Sequence, residues 1–454
     1  MSTAQIDPVP ELVEGPHIST LRPSRRPEGT TLFRFATAGS VDDGKSTLVG
    51  RLLHDAKAIL ADQLEQVART SAERGFAHGT GFDFALLTDG LRAEREQGIT
   101  IDVAYRYFAT DRRSFILADC PGHVQYTRNM VTGSATADAV IVLVDARKGV
   151  LEQTRRHLAV VALLRVPHVI IAVNKIDLVD FSAEVFADVE AQARAVGAQL
   201  QIDDLHVLPV SALDGDNIVD RSERTPWYDG PSLIDLLETL PAEDQLETER
   251  EPFRLPVQLV IRPQGALAPG LDAEEFRDYR ASAGRVSSGR VRVGDEVTVL
   301  PTGLRTTVTG VWVAGAPTDE ASAPQSVAIE LADDVDAARG TVIAAADAAP
   351  APTREFDAEL FQLDARGLAS GTRVLVKHGT STVQAVLQIT SRYDLDALAH
   401  EDAASLSVND IGRAHVRVAA DLPVEPYAQG RAGGSFLVIH PSDGATLAAG
   451  TVLA

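Results

Sequence analysis

Residues 39–46 read Gly39-Ser40-Val41-Asp42-Asp43-Gly44-Lys45-Ser46, a complete G-x-x-x-x-G-K-[ST] pattern. In a loop of this kind the backbone N–H groups wrap phosphates, the lysine reaches the β- and γ-phosphates, and the last hydroxyl holds Mg²⁺. Lys45 and Ser46 stand at those positions, with Thr47 next. Downstream, Asp119-Cys120-Pro121-Gly122 offers a carboxylate able to hold Mg²⁺ through water and a glycine N–H able to donate to a γ-phosphate. In Asn174-Lys175-Ile176-Asp177 the Asp177 carboxylate can accept from the N1–H and the amino group on one edge of guanine. Adenine presents no such pair, and a site built for hydrogen bonds rejects a ligand that leaves its polar groups unmatched. Ser211-Ala212-Leu213, weak as an isolated signal, gains meaning after that motif as a backbone contact to the guanine oxygen.

Two further residues bear on hydrolysis. Thr100, in Gly98-Ile99-Thr100, is placed to offer its hydroxyl to Mg²⁺ and its N–H to the γ-phosphate, contacts that vanish after hydrolysis and so make a switch. The alternative, a charged helix end, accounts for residues 91–97 but not for Gly98-Ile99-Thr100. His123, directly after Gly122, is read as orienting the attacking water; a surface histidine at a helix start is the other reading.

The elements that must position these residues follow from the apolar pattern. Strands are expected at 32–38, 101–108, 113–118, 138–144, 168–173 and 206–210, and helices at 45–55, 124–135, 153–165, 182–197 and 231–239. Alternation of this kind implies a mainly parallel sheet with helices on both faces. All the nucleotide motifs then fall at carboxyl ends of strands, where open α/β sheets bind ligands. Beyond residue 252 the pattern changes to short alternating strands, such as Leu255–Ile261, Gly284–Val286, Glu296–Leu300 and Arg305–Val313, punctuated by Gly and Pro. That suits small antiparallel barrels.

The motifs in this order resemble the translation-factor GTPase superfamily, the group containing elongation factor Tu. Asp43, together with Gly50-Arg51-Leu52-Leu53-His54-Asp55, Glu94–Phe108, Trp227–Pro231, Asn409–Arg413 and the stretch from Pro426-Tyr427 through Arg431 to Phe436, narrows the resemblance. These segments resemble the GTPase (large) subunit family of bacterial sulfate adenylyltransferases; translation factors usually carry His, Ser or Ala where this chain has Asp43. The resemblance implies a heterodimer whose small subunit makes adenosine 5′-phosphosulfate and diphosphate from ATP and sulfate while the large subunit hydrolyses GTP to drive it. By position it implies catalytic roles for Lys45, Thr100 and His123, and Mg²⁺ held by Ser46, Thr100 and Asp119. It implies a nucleotide site spanning Gly39–Thr47, Asp119–His123, Asn174, Lys175, Asp177 and Ser211–Leu213, and an apolar gate at Val41 and Ile99. An elongation-factor-like GTPase that binds aminoacyl-tRNA is the alternative function.

At 454 residues the chain has room for about three domains. We expect a flexible extension at 1–30, a GTP-binding domain at 31–241, a linker at 242–252, and barrels at 253–346 and 353–454. The run Ala344–Pro352 reads as a second linker, and Gly265–Glu275 as a surface insertion. The net charge of −22 disfavours nonspecific binding to nucleic acid. The extension has no apolar core of a secretory signal, and no apolar run approaches the length of a membrane span, so a cytoplasmic protein is expected. The one cysteine, Cys120, fits a reducing compartment and is read as a small packed side chain. There is no second phosphate loop and no H-x-G-H-type nucleotidyl-transfer motif, so sulfate activation itself is not expected on this chain.

Overall fold

The structure, a computed structural model, describes residues 31–40, 42–56, 69, 71, 84, 103–121, 127–242, 251–263, 274, 279–395 and 397–453. The first part is a six-stranded sheet of β1 (Thr31–Gly39), β2 (Ala104–Ala109), β3 (Arg113–Asp119), β4 (Ala139–Asp145), β5 (His168–Asn174) and β6 (Leu205–Pro209). Its spatial order is β2-β3-β1-β4-β5-β6. Only β2 runs antiparallel to its neighbour; the other pairings are parallel. Its helices among the described residues include α1 (Lys45–Asp55), α2 (Thr127–Ser134), α3 (Glu152–Leu163), α4 (Ala183–Gln199) and α5 (Leu233–Thr239).

β4 and β5 read AVIVLVD and HVIIAVN, and every residue in them is buried. That is how a parallel strand covered on both faces looks. Alternate residues divide between two cores. Val140, Val142 and Val144 meet α2, α3 and α4 on one face. Ala139, Ile141 and Leu143 meet α1 and α5 on the other.

The next part is an antiparallel sheet running from Arg254 to Ala345. Leu255–Ile261, expected as one strand, forms two. Arg254–Pro256 pairs with Val342–Ala344 and Leu259–Ile261 pairs with Ala281–Ala283, so one bent stretch supplies both ends of the strand path and draws it into a barrel. The proposed linker 344–352 also needs correction at its start. Ala344 and Ala345 pair with Thr298 and Val297 inside the sheet. A methyl side chain fits the packed interior, and the ladder satisfies backbone groups that a linker would leave to water.

The last part is a closed six-stranded barrel. Arg373–His378, Ser435–Ile439, Thr446–Val452, Thr353–Gln362, Ile411–Leu422 and Ser381–Asp394 follow one another round the ring, and the last pairs back with the first. Closure removes exposed edges. Phe361 and Ile411 of this barrel share a buried cluster with α2, α3 and α4. Between the barrels, Arg254 and Glu425 make an ion pair at 2.7 Å. Glu274 apart, the insertion Gly265–Glu275 lies outside the described residues, as do residues 243–250 of the expected linker. No helix among the described residues is long and apolar enough to cross a membrane.

Candidate functional site

β1 delivers the chain at Gly39, deep against β4: a Cβ there would sit 3.0 Å from the Leu143 carbonyl oxygen. Ser40, Asp42, Asp43 and Gly44 then fold into a tight loop, in which Asp43 Oδ2 accepts from the Ser40 N–H at 2.8 Å. The Asp43 carboxyl is buried, and its other oxygen has no hydrogen-bond partner among the described residues. Burial pushes its pKa up, against the Ser40 hydrogen bond and the Lys45 charge. Gly44 has φ +94°, and a Cβ there would lie 2.4 Å from Asn174 Nδ2. Only glycine accepts both the left-handed backbone and that approach.

α1 begins with Lys45, Ser46 and Thr47, without an acidic residue in its first turn or a side-chain cap. The free N–H groups and positive dipole end of such a helix suit an anion. Lys45 is 9 % exposed, and its ammonium donates to the Gly39 carbonyl at 2.7 Å and the Ser40 carbonyl at 2.8 Å. Burial lowers its pKa while the Asp119 charge acts the other way. The lysine thus lies folded across the loop, on acceptors that phosphate oxygens can replace.

Asp119 ends β3 opposite Thr37 of β1, and the Thr37 hydroxyl donates to Asp119 Oδ1 at 2.9 Å. Cys120 is fully buried; its thiol points to the Ala118 carbonyl at 3.7 Å, and burial pushes its pKa up. A thiol held protonated is a packing group, as expected. Pro121 follows, buried. Gly122, His123, Thr100, Ile99 and Val41 lie outside the described residues.

Asn174, 1 % exposed at the end of β5, joins the phosphate loop to the third motif. Its Nδ2 donates to the Asp43 carbonyl at 2.7 Å, and its Oδ1 accepts from the Ala212 N–H at 2.9 Å. Ala212 therefore first serves to fix Asn174. Ser211 Oγ accepts from the Asp214 N–H at 3.2 Å, and the Leu213 carbonyl accepts from Arg51 Nη1 of α1 at 3.1 Å. Lys175 has φ +62° and donates to the Asp42 carbonyl and, at 3.1 Å, to Asp145. Asp177 is half-buried in the short 3-10 turn Ile176–Val179 that follows.

Among the described residues, then, the structure brings Gly39, Ser40, Asp42–Lys45, Asp119, Asn174, Lys175 and Ala212 into one hydrogen-bonded and ion-paired neighbourhood. Three contributors escaped the sequence reading, Thr37, Asp145 and Arg147, and Arg51 entered it only as part of the family resemblance. Asp145 carried a readable signal. It is a carboxylate closing an otherwise apolar buried strand, level with Asn174 in the sheet. A charge in such a place needs partners.

The chain matches the model of the elongation factor Tu GTP binding domain over residues 30–245 and that of the GTP-eEF1A C-terminal domain-like family over 355–453. It is 45 % identical over 427 residues to a sulfate adenylyltransferase subunit 1 of Bacteroides fragilis, covering 94 % of this chain and 87 % of that one. It is 48 % identical over 429 residues to a bifunctional enzyme CysN/CysC of Mycobacterium tuberculosis, covering 93 % of this chain and 67 % of that protein. A solved structure of sup35 complexed with GDP aligns over 94 % of each chain at a TM-score of 0.41 and 20 % identity.

Proposed function

The chain belongs to the sulfate adenylyltransferase subunit 1 family as a GTPase subunit, and from that premise we propose how its residues drive the synthesis of adenosine 5′-phosphosulfate and diphosphate from ATP and sulfate. The observation that carries the proposal is the bridge made by Asn174. One side chain ties the phosphate loop at Asp43 to the Ala212 segment, so a single nucleotide can engage both.

On binding GTP, the Lys45 ammonium leaves the Gly39 and Ser40 carbonyls for the β- and γ-phosphates. The N–H groups from Asp42 to Thr47 cradle the phosphates. Asp177 accepts from guanine, while Asn174 and Lys175 hold the base-binding turn in place. The hydroxyls of Ser46 and Thr100 and the carboxylate of Asp119 are hard oxygen donors, the set Mg²⁺ prefers. When bound there, Mg²⁺ neutralises charge that develops on the phosphates. His123 orients the attacking water, and Val41 and Ile99 form the apolar gate that separates them until a partner or a conformational change opens it. The partner is the small subunit carrying ATP-sulfurylase chemistry, in a hetero-oligomer whose GTP hydrolysis drives the unfavourable adenylylation.

The test is GTP hydrolysis by this chain with and without the small subunit, in the presence of ATP and sulfate. Hydrolysis alone is expected to be slow. Addition of the small subunit should raise it at least about tenfold, with adenosine 5′-phosphosulfate formed in step. GTP binding without stimulation or product would sink the coupling. Aminoacyl-tRNA binding that requires GTP would replace it with the elongation-factor-like reading.

A further inference from the structure

Asp145 lies outside the sequence motifs, yet it is among the most thoroughly bonded groups beside them. Its side chain is fully buried at the end of β4. Oδ1 accepts from the Arg147 backbone N–H and from Arg147 Nε, both at 3.0 Å. Oδ2 accepts from Arg147 Nη2 at 2.6 Å and from Lys175 Nζ at 3.1 Å. Burial alone pushes its pKa up; the bonds from Arg147 and Lys175 outweigh that and hold it well below the usual carboxylate range. Four donor contacts thus converge on one buried carboxylate, an arrangement that favours its charged form.

Its surroundings are equally fixed. The Ala146 N–H donates to the Asn174 carbonyl at 2.9 Å, which keeps this turn zipped to β5. The Lys148 and Gly149 N–H groups return to the Asp145 carbonyl at 2.9 and 3.1 Å. The turn places Arg147 within electrostatic reach of Asp177, and Lys148 within reach of Asp43. Lys175, in a left-handed conformation that L-residues seldom adopt, is tethered through its ammonium to two sides: Asp145 on β4 and the Asp42 carbonyl in the phosphate loop.

We propose that Asp145 is a positioning residue for guanine-nucleotide binding: it anchors Lys175 between β4 and the phosphate loop, and so fixes the Lys175–Asp177 turn in the geometry that reads the base. This rests on Asn174-Lys175-Ile176-Asp177 being the guanine-binding segment. Asp145 acts through Lys175 and leaves the reacting phosphates untouched, so it sets affinity rather than turnover. Arg147 supplies the remaining donors that keep the carboxylate ionised and correctly turned.

The experiment is a fluorescent-GDP titration of the full chain as wild type, Asp145→Asn, Lys175→Ala and the double variant, with thermal melts as a folding check. The amide is isosteric, and both cationic partners reach solvent, with side chains 46 % (Arg147) and 23 % (Lys175) exposed, so the fold should persist. Asp145→Asn should weaken binding on the order of tenfold, the scale of one lost charge-assisted contact. The double variant should bind no more weakly than Lys175→Ala alone, and Asp145→Asn should raise KM for GTP by a larger factor than it lowers kcat. Wild-type affinity in Asp145→Asn, or losses that add independently of Lys175, would overturn the proposal. If the amide variant does not fold, Asp145→Ser, which admits water in place of the carboxylate, must meet the same criteria. Asp177→Asn runs alongside: if it leaves guanine preference unchanged, the base-binding reading itself fails; if it shifts preference while Asp145→Asn does nothing, only the role of Asp145 falls.

Discussion

At the scale of single residues, the site depends on side chains whose partners are mostly backbone atoms. Lys45 lies on two carbonyls, Asn174 on one carbonyl and one N–H, and Lys175 on a carbonyl and Asp145. Such contacts hold the loop ready without requiring a distant element to arrive. The Asp177→Asn substitution tests how far guanine recognition follows from one carboxylate. An amide keeps one acceptor but replaces the other oxygen with a donor, so it opposes the guanine amino group and welcomes the O2 of xanthine. GTP affinity is expected to fall by at least about 100-fold, for two contacts to a charged acceptor, and XTP to bind better than GTP. Direct titration with both nucleotides decides it, and an unchanged GTP affinity counts against the assignment. Asp177 could be nominated from the sequence because its motif is local. Asp145 left only a local sign, a carboxylate closing an apolar strand two residues before Arg147; its tie to Lys175 appears only after β4 and β5 pair in register. Asp43 stands between. It was noticed as a departure from the translation factors, but its hydrogen bond to Ser40 and its burial needed the folded loop.

At the scale of elements, α3 carries a group whose protonation opposes folding. His157 is 5 % exposed, and its Nε2 accepts from Gln153 Nε2 at 2.9 Å. Burial first, and the nearby Lys45 charge second, push its pKa down to about 3. The folded state therefore refuses a proton that the unfolded chain takes up near its ordinary pKa of about 6.5. The contribution is fully present above that value and is lost as pH falls through the window towards about 3. Between pH 6.5 and 5 the wild type should lose up to about 2 kcal/mol more than His157→Gln, read from urea midpoints at the two pH values. Parallel pH dependences would refute this role. Most elements of the first part were readable for a related reason: a buried β4 or β5 is an uninterrupted apolar run, and α1 spans Lys45–Asp55 as its pattern predicts. The misreadings fell where pairing, not composition, decides. Leu255–Ile261 changes partners midway, and Ala344 enters a ladder despite its Ala- and Pro-rich setting. Neither event leaves a local mark in the chain.

At the scale of the whole molecule, the second barrel grips the nucleotide-binding part at the carboxyl ends of two helices. The Tyr427 hydroxyl donates to the Leu164 carbonyl, at the end of α3, at 2.9 Å. Arg431 donates to Tyr427 Oη at 3.1 Å, to the Ala137 carbonyl at 3.2 Å and to the Ala135 carbonyl, just past α2, at 2.5 Å. Helix carboxyl ends carry unpaired carbonyls and a negative dipole, so a guanidinium there satisfies both. Phe361 and Ile411 add apolar area beside the same helices. The consequence is positional: the far end of α2, the helix that comes next in the chain after β3 among the described elements, is tied to the barrel. Arg431→Ala removes these donor contacts and leaves in place the apolar patch and the Tyr427–Leu164 hydrogen bond. It should weaken docking by about 2 kcal/mol, enough to lower the first calorimetric transition by several degrees and to make the segment between the barrels cleave faster under limited proteolysis. Arg431→Lys keeps the charge but not the fork that spans Ala135, Ala137 and Tyr427, so it should recover only part of the loss. A melting profile and cleavage rate unchanged in Arg431→Ala would mean that apolar packing and the Tyr427–Leu164 hydrogen bond seat the barrel without it, and that the arginine has no part in holding α2.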